Sequence, residues 1–301
     1  MAGHECRKAL QSGGKISRYV VVLACTYLLS AMVLSYAVDV AGLNIFGLGE
    51  NYGQYREGES VLLWMELFRE ASLTEVLQWI FLGLSVVLSL YLYRKHKEDL
   101  SNPAVWLLLC LGLTLMFFED SQNWRHRLSG SIGSYLGYDI YSLEFRGSTL
   151  RTSIEIIFYA VLGSIMSFSF YKIVTERSNP LKMKAYLCLG YLFYAIAAIG
   201  SATRNIEDWY ARAGARMLDV LIQGRDLHWG VETLHNEYPL GFWFMDYLLE
   251  ESLELLGAAC ILAAVIVFFS QTLTRETNRE TDRTEKPTAR STGSPHHGDA
   301  V

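Results

Sequence analysis

The sequence predicts an all-α polytopic membrane protein with six transmembrane helices arranged as three hairpins, and three observations predict it. Hydrophobic residues make up 51 % of the 301-residue chain, a value that large soluble proteins also reach, so the runs decide rather than the composition. Charge-free stretches at Tyr19–Val38, Val76–Tyr93, Pro103–Phe118, Ile156–Tyr171, Ala185–Thr203 and Leu255–Leu273 each approach the roughly 20 helical residues that cross about 30 Å of hydrocarbon. Lipid offers backbone N–H and C=O groups no partner, so runs of this length must be helices. The third observation is the distribution of basic residues, which is lopsided about these runs.

Residues 1–18 form a basic N-terminal tail with Arg7, Lys8, Lys15 and Arg18. The first span, about 19–38, imitates a secretory signal in its basic flank and its Ser35-Tyr36-Ala37 end, but the apolar run is longer than a usual signal core. Spans at about 74–93 and 103–119 are joined by Arg94, Lys95 and Lys97, and spans at about 153–171 and 185–203 by Lys172, Arg177, Lys182 and Lys184. The alternate loops, roughly 39–70, 119–151 and 204–254, carry ten arginines and twenty acids but no lysine. By the positive-inside rule both termini are cytoplasmic and three acidic loops face outward, in the inner (plasma) membrane of the cell. In the third loop, Arg212–Ile222 has the pattern of a short amphipathic helix lying on the membrane or capping the bundle. After the sixth span, about 254–273, residues 276–301 are polar with no apolar period and are expected to be a disordered cytoplasmic tail.

The returning spans begin alike. Ser72-Leu73-Thr74-Glu75, Ser153-Ile154-Glu155 and Ser252-Leu253-Glu254 each place a serine two or three residues before a glutamate that opens an apolar run. An outgoing span ends Asn123-Trp124-Arg125-His126-Arg127 and another Asp208-Trp209-Tyr210-Ala211-Arg212. These strings suggest a threefold pseudo-repeat of hairpins, although helix-start chemistry alone also places Ser and Glu in such positions.

The polar residues gather toward the outward ends. Glu75 stands eighteen residues from Tyr93, Glu155 sixteen from Tyr171 and Glu254 nineteen from Leu273, about 24 to 28 Å of helix at 1.5 Å per residue. Carboxylates at that depth require a partner, water or the bundle interior. Asp246, Glu250 and Glu254 are four apart and form one stripe on an α-helix, with Glu251 beside it. Like charges at this spacing repel, so protons are shared among them or cations compensate. Arg151, one turn before Glu155, and Arg204, at the end of the fifth span, are the nearest cations, with Arg69, Arg125 and Arg127 at other span ends. Glu119, Asn123 and His126 share a face at i, i+4 and i+7, with Asp120 adjacent. Two readings stay open: an Arg–carboxylate network that pins the hairpins together, or a site for a cation, a metal or a small polar ligand.

Signatures of specific chemistry are lacking. The outward loops hold no cysteine, and the chain has no CxxC, HExxH, GxSxG, Walker A, GxGxxG or EF-hand string. His228 and His235 are seven apart in a loop, a spacing that suits solvated histidines as well as ligands. Midplane charges and Gly/Pro-broken helices at matching positions, the marks of many transporters, are missing as well.

Phe118-Glu119-Asp120 followed by His126, and Glu250-Glu251-Ser252-Leu253-Glu254-Leu255-Leu256-Gly257, resemble strings in a group of uncharacterised prokaryotic multi-pass membrane proteins. Members of that group pair an acidic dipeptide and a following His at one span end with an EExxExLG-type start of another. Here the dipeptide is Glu-Asp rather than Asp-Glu, and Arg127 follows His126 where the pattern has Glu. The group brings no established activity.

The functional expectation is therefore an integral membrane protein whose acid/His/Arg cluster binds a cation or small polar ligand in transport, sensing or assembly. A metal-dependent hydrolase or lipid-modifying enzyme is the first alternative, with a divalent metal ion as cofactor and His126, Glu251 and Glu254 as candidate ligands. A purely structural subunit is the second. The expected partners are the lipid bilayer and that cation or ligand, not nucleic acid, and the sequence leaves the oligomeric state open.

Overall fold

The computed structural model describes residues 2–52, 55–56, 59–60, 62–98, 103–139, 149–204, 206–222, 233–234 and 238–285. It is all-α, with six helices long and apolar enough to cross a membrane. Helix α1 (Ala2–Ser35) runs into a π-helical turn at Tyr36–Val40. A short α2 (Leu63–Phe68) precedes α3 (Leu73–Glu98), and α4 (Ala104–Gln122) precedes α5 (Trp124–Tyr135). Then come α6 (Thr149–Thr175), α7 (Leu181–Thr203) and α8 (Trp209–Ile222). The chain closes with α9 (Leu240–Trp243), a π-helical segment Phe244–Glu250 and α10 (Glu251–Glu285). The only ladders among the described residues are two antiparallel pairs of two-residue strands, Tyr55–Arg56 with Glu59–Ser60 and Thr233–Leu234 with Tyr238–Pro239.

Helix α10 occupies the centre. Its apolar window is 72 % buried, against 22 % for that of the first span and 17 % for α6. The cause lies in its side chains: Ala258, Ala259, Ala263 and Ala264, all at most 1 % exposed, let neighbouring backbones come close enough for dispersion contact along their length. Gly190 of α7 meets it so closely that a Cβ there would lie 3.0 Å from the Gly257 carbonyl oxygen. Helices α1, α3 and α7 surround α10, while α4 leans on α3 and α6 leans on α4. The second and third expected hairpins pack as neighbours, whereas α1 packs chiefly along α10. Three equivalent hairpins would leave no helix at the centre; here one is.

Outward from this core the spans are apolar. Leu23, Leu29, Val33, Val87, Ile157 and Ile199 are all more than half exposed, which suits a hydrocarbon surround and not water. Contacts between Lys182 Nζ and the Gly14 carbonyl at 2.9 Å, and between Lys95 Nζ and Glu276 at 3.1 Å, place the lysine-bearing loop and both chain ends at one end of the bundle. The polar cluster lies at the other.

Two boundaries need correction. The chain is already helical from Ala2, so the N-terminal tail is continuous with the first span. The last helix runs to Glu285, ten residues into the segment expected to be disordered. A helix already nucleated by its membrane portion extends into a polar segment at little further cost. Residues 286–301 lie outside the described residues, as do His228 and His235.

The amphipathic segment of the third loop is the helix α8, and it caps the bundle. Tyr210, Gly214 and Leu218, four apart, form its buried face. It meets α9 backbone to backbone: a Cβ on Gly214 would lie 1.9 Å from the Gly241 carbonyl oxygen, and one on Gly241 would lie 2.5 Å from the Ala211 carbonyl oxygen.

Candidate functional site

The end of the bundle opposite the termini holds a polar cluster in two halves of different character. The first is matched in charge. Asn123 adopts the left-handed conformation (φ 51°) between α4 and α5, which asparagine tolerates better than most residues, and this turn brings Arg125 and His126 back over the bundle. Arg125, 5 % exposed, donates to the Tyr159 hydroxyl and, at 2.6 Å, to Ser201 Oγ, and its Nε lies 3.4 Å from Glu119. Arg151 pairs with Glu155 at 2.9 Å, one helical turn apart, and Arg204 pairs with Asp246 at 2.5 Å. Three guanidinium groups thus meet three carboxylates, drawn from α4, α5, α6, the end of α7 and the π-helical segment.

His126 sits among these pairs. Its Nδ1 is 3.1 Å from Glu155 Oε1, and its Nε2 is 2.9 Å from an Arg204 nitrogen and 3.3 Å from one of Arg125. Nδ1 also lies 3.0 Å from an Arg151 nitrogen, so guanidinium donors face both ring nitrogens while the carboxylate acceptor of Glu155 faces Nδ1 alone. Only a neutral ring offers these donors a lone pair, and Nδ1 is the nitrogen with a partner for the remaining proton. Burial lowers the His126 pKa below its usual value, and the positive charges of Arg125 and Arg204 lower it further, against the opposing pull of Glu155. Burial by itself pulls the Arg125 and Arg204 guanidinium groups down, but the acids and Tyr159 around them more than offset this and hold both above the usual arginine value.

The second half has carboxylates and no cation bonded to them. Gln78, fully buried, donates through Nε2 to Asp120 at 2.6 Å and to Glu254 at 2.9 Å. Glu75 accepts from the backbone N–H of Ala71, and Glu250 accepts from the Tyr210 hydroxyl at 2.8 Å. Burial raises the Tyr210 pKa, with the charges of Glu250 and Asp246 adding to it, so this hydroxyl keeps its proton and remains a donor. Glu251 Oε2, Gln78 Oε1 and the Tyr194 hydroxyl are buried without a hydrogen-bond partner. Among the described residues none of Glu75, Asp120, Glu250, Glu251 and Glu254 forms a salt bridge. All five line a cavity of about 40 Å³, which Arg125, His126 and Arg204 of the first half line as well; it has room for roughly three or four water-sized groups at about 10–15 Å³ each.

Glu75, Glu119, Asp120, Asn123, His126, Arg151, Glu155, Arg204, Asp246, Glu250, Glu251 and Glu254 lie together in this cluster, without the expected stripe. Asp246 and Glu250 fall in the π-helical segment, where each N–H bonds the fifth residue back, so residues four apart no longer stack above one another. Asp246 turns to Arg204, Glu250 to Tyr210 and Glu254 to Gln78. Glu155, expected level with Glu75 and Glu254, belongs to the arginine half instead. The metal-ligand set His126, Glu251 and Glu254 does not form: the His126 Nε2 lone pair faces guanidinium groups, which repel a cation, and no group of three His, Cys, Asp or Glu among the described residues is arranged to hold a metal ion. Arg69 pairs with Glu66 at 2.9 Å away from the cluster, and Arg127 is exposed.

Several residues carry no signal strong enough to pick out in the sequence. Gln78 is one turn after Glu75, the only hint it gives. Tyr159 and Tyr194 read as ordinary span aromatics. Asp39, 4 % exposed, caps α2 by accepting from the Leu63 and Trp64 amides at 2.8 and 2.9 Å, partners more than twenty residues distant in the chain. No family model matches this chain, and no curated protein or solved structure matches it either.

Proposed function

We propose that this chain is a plasma-membrane protein, with both termini cytoplasmic, whose outward-facing cluster binds a cation between Glu75, Asp120, Glu250, Glu251 and Glu254. One observation carries the reading: the cavity is lined by more acids than cations, with Glu75, Asp120, Glu250, Glu251 and Glu254 in no salt bridge among the described residues while Arg125 and Arg204, on the same wall, are engaged by Glu119 and Asp246. Two like charges about 4 Å apart repel by about 4 kcal/mol at an effective dielectric constant near 20, so carboxylates gathered on one small cavity need compensation. Positive charge from outside the chain, as protons or a bound cation, offsets that repulsion. The donors present are carboxylate, amide and phenol oxygens, which suit protons and hard cations such as sodium, magnesium or calcium better than zinc or copper. No three of the described acids are arranged to hold a metal ion, so a metal has to draw them together, whereas protons need no rearrangement. The arginine half has a different role, since its matched pairs fix the spans around the site.

A metal-dependent hydrolase is less well supported, because its histidine ligand is enclosed by guanidinium groups. The test is thermal unfolding of the protein in lipid nanodiscs with added sodium, magnesium or calcium chloride, against choline chloride as an ionic-strength control. A saturable rise in melting temperature is expected with at least one of the three, lost in Glu251→Gln/Glu254→Gln, whose amides keep the volume and remove the charge. A melting temperature indifferent to all three cations and unchanged in the double variant would overturn the reading.

A further inference from the structure

A second cavity leads into the cluster from the side. About 150 Å³ in volume, it lies between α4, α6, α7 and α10 and is lined by Met116, Leu162, Met166 and Ile261 below and by Glu119, Asp120, Tyr159 and Glu254 above. Those last four residues also line the carboxylate cavity, so the two spaces share a wall. The crevice exists because α6 packs on α4 and α7 packs on α10, and two sets of polar contacts among the described residues join α6 to α7 on either side of it. In one, Tyr191 of α7 donates to the Met166 carbonyl at 3.0 Å; in the other, Arg125 bridges Tyr159 and Ser201. Between Tyr159 and Met166 the gap spans about 10 Å of helix. Gly163, Ser167 and Ala195 are exposed along it, and a Cβ on Gly163 would meet nothing within 4 Å. The opening therefore faces the hydrocarbon.

We infer that this crevice takes a single-chain amphiphile with an amine or ammonium head from the bilayer, the chain lying between α6 and α7 and the head meeting Asp120 and Glu254. This rests on the reading of the carboxylate half as a cation site and names the form in which the cation arrives. Charge complementarity selects the head: the inner end presents Asp120 and Glu254, neither in a salt bridge among the described residues, next to Glu119, which Arg125 engages, and the buried hydroxyl of Tyr194 on the cavity wall has no partner. An ammonium supplies the missing donors and the missing charge together, whereas an anionic head would add to the repulsion. The volume admits roughly ten to fifteen water-sized groups, the scale of one medium-length chain and not of a two-chain lipid.

The test uses the full chain in phosphatidylcholine nanodiscs with a dodecylamine bearing a photoreactive group in its chain. Saturable labelling is expected on the segments containing Gly163, Met166 and Ala195, competed by dodecylamine about tenfold better than by dodecanol, a difference of roughly 1.4 kcal/mol, and not by dodecanoate. Gly163→Phe, which fills the opening from an exposed helix position, should cut labelling about tenfold while leaving the response to inorganic cations intact. Glu254→Gln should abolish the preference of amine over alcohol. Equal competition by amine and alcohol, labelling elsewhere, or cross-links from this face to a second copy of the chain would each overturn the inference. If that happens while inorganic cations still stabilise the protein, the cation site stands alone; if neither binds, both readings fall.

Discussion

At the residue scale the most informative side chain is His126, because its surroundings decide between readings that its identity leaves open. A histidine near two acids looks like a ligand or a base, yet here both ring nitrogens are occupied and the nearest charges are guanidinium groups. A pH dependence follows. The folded pKa lies below the usual 6.5, so near and below that value the unfolded chain binds a proton that the folded chain refuses. Stability from this group is thus complete above about 6.5 and declines as the pH falls, levelling off once the folded pKa is passed. His126→Gln, which cannot titrate, should flatten that part of the curve, and denaturant unfolding from pH 5 to 8 would show it. A wild-type and variant pair with parallel curves would mean that the His126 pKa does not change on folding. The Arg151–Glu155 pair was legible from spacing, since residues four apart on an α-helix meet. Gln78 was not, because one amide in an apolar run signals nothing until two carboxylates from other spans close on it.

At the scale of elements, the π-helical segment before α10 and the capping helix α8 set the site. The π segment gives Asp246 and Glu250 separate directions, so one helix serves both halves of the cluster. Sequence spacing assumes 3.6 residues per turn and cannot register such a change, which is why the acidic stripe was expected on one face. Helix α8 was readable from its apolar period, and its docking geometry was not. That docking depends on Gly214, whose Cα faces the Gly241 carbonyl. Gly214→Val should destabilise the protein by about 3 kcal/mol or more, the upper range for overpacking. It should also free Tyr210 from Glu250, detectable as a tyrosine that exchanges its hydroxyl proton faster in solution NMR of the detergent-solubilised chain. Retention of wild-type stability would show that α8 lies on the bundle without gripping it.

At the scale of the molecule, the lysine-bearing loops and the acid cluster lie at opposite ends of a six-helix bundle, a polarity from which the positive-inside rule predicts an orientation. Single cysteines placed at Ser178, in the exposed turn before α7, and at Asp139, beyond α5, test it in a background whose own cysteines are replaced by serine. A membrane-impermeant maleimide applied to intact cells should label the Asp139 position and leave the Ser178 position unlabelled until the cells are opened. The reverse pattern would invert the protein and turn the cluster toward the cytoplasm. The same polarity explains why the site is at one end: matched and unmatched carboxylates both sit where a helix can still reach water, about 24 to 28 Å from the far boundary.

The sequence by itself determined what is local: six spans, their helical state, the end at which polar groups collect, the capping helix and the one ion pair made within a single helix. Each depends on hydrophobic run length or on residues a few positions apart, quantities that the chain carries whatever its partners. Only the tertiary structure decided that α10 is central, that three carboxylates find arginines and five do not, and that an apolar crevice opens beside the five. Those outcomes depend on how far each helix is rotated and shifted against its neighbours. Close backbone contact at Gly190 and Gly257, a π-helical change of register and the loose seam between α6 and α7 set these rotations, and none of them has a period that the sequence displays.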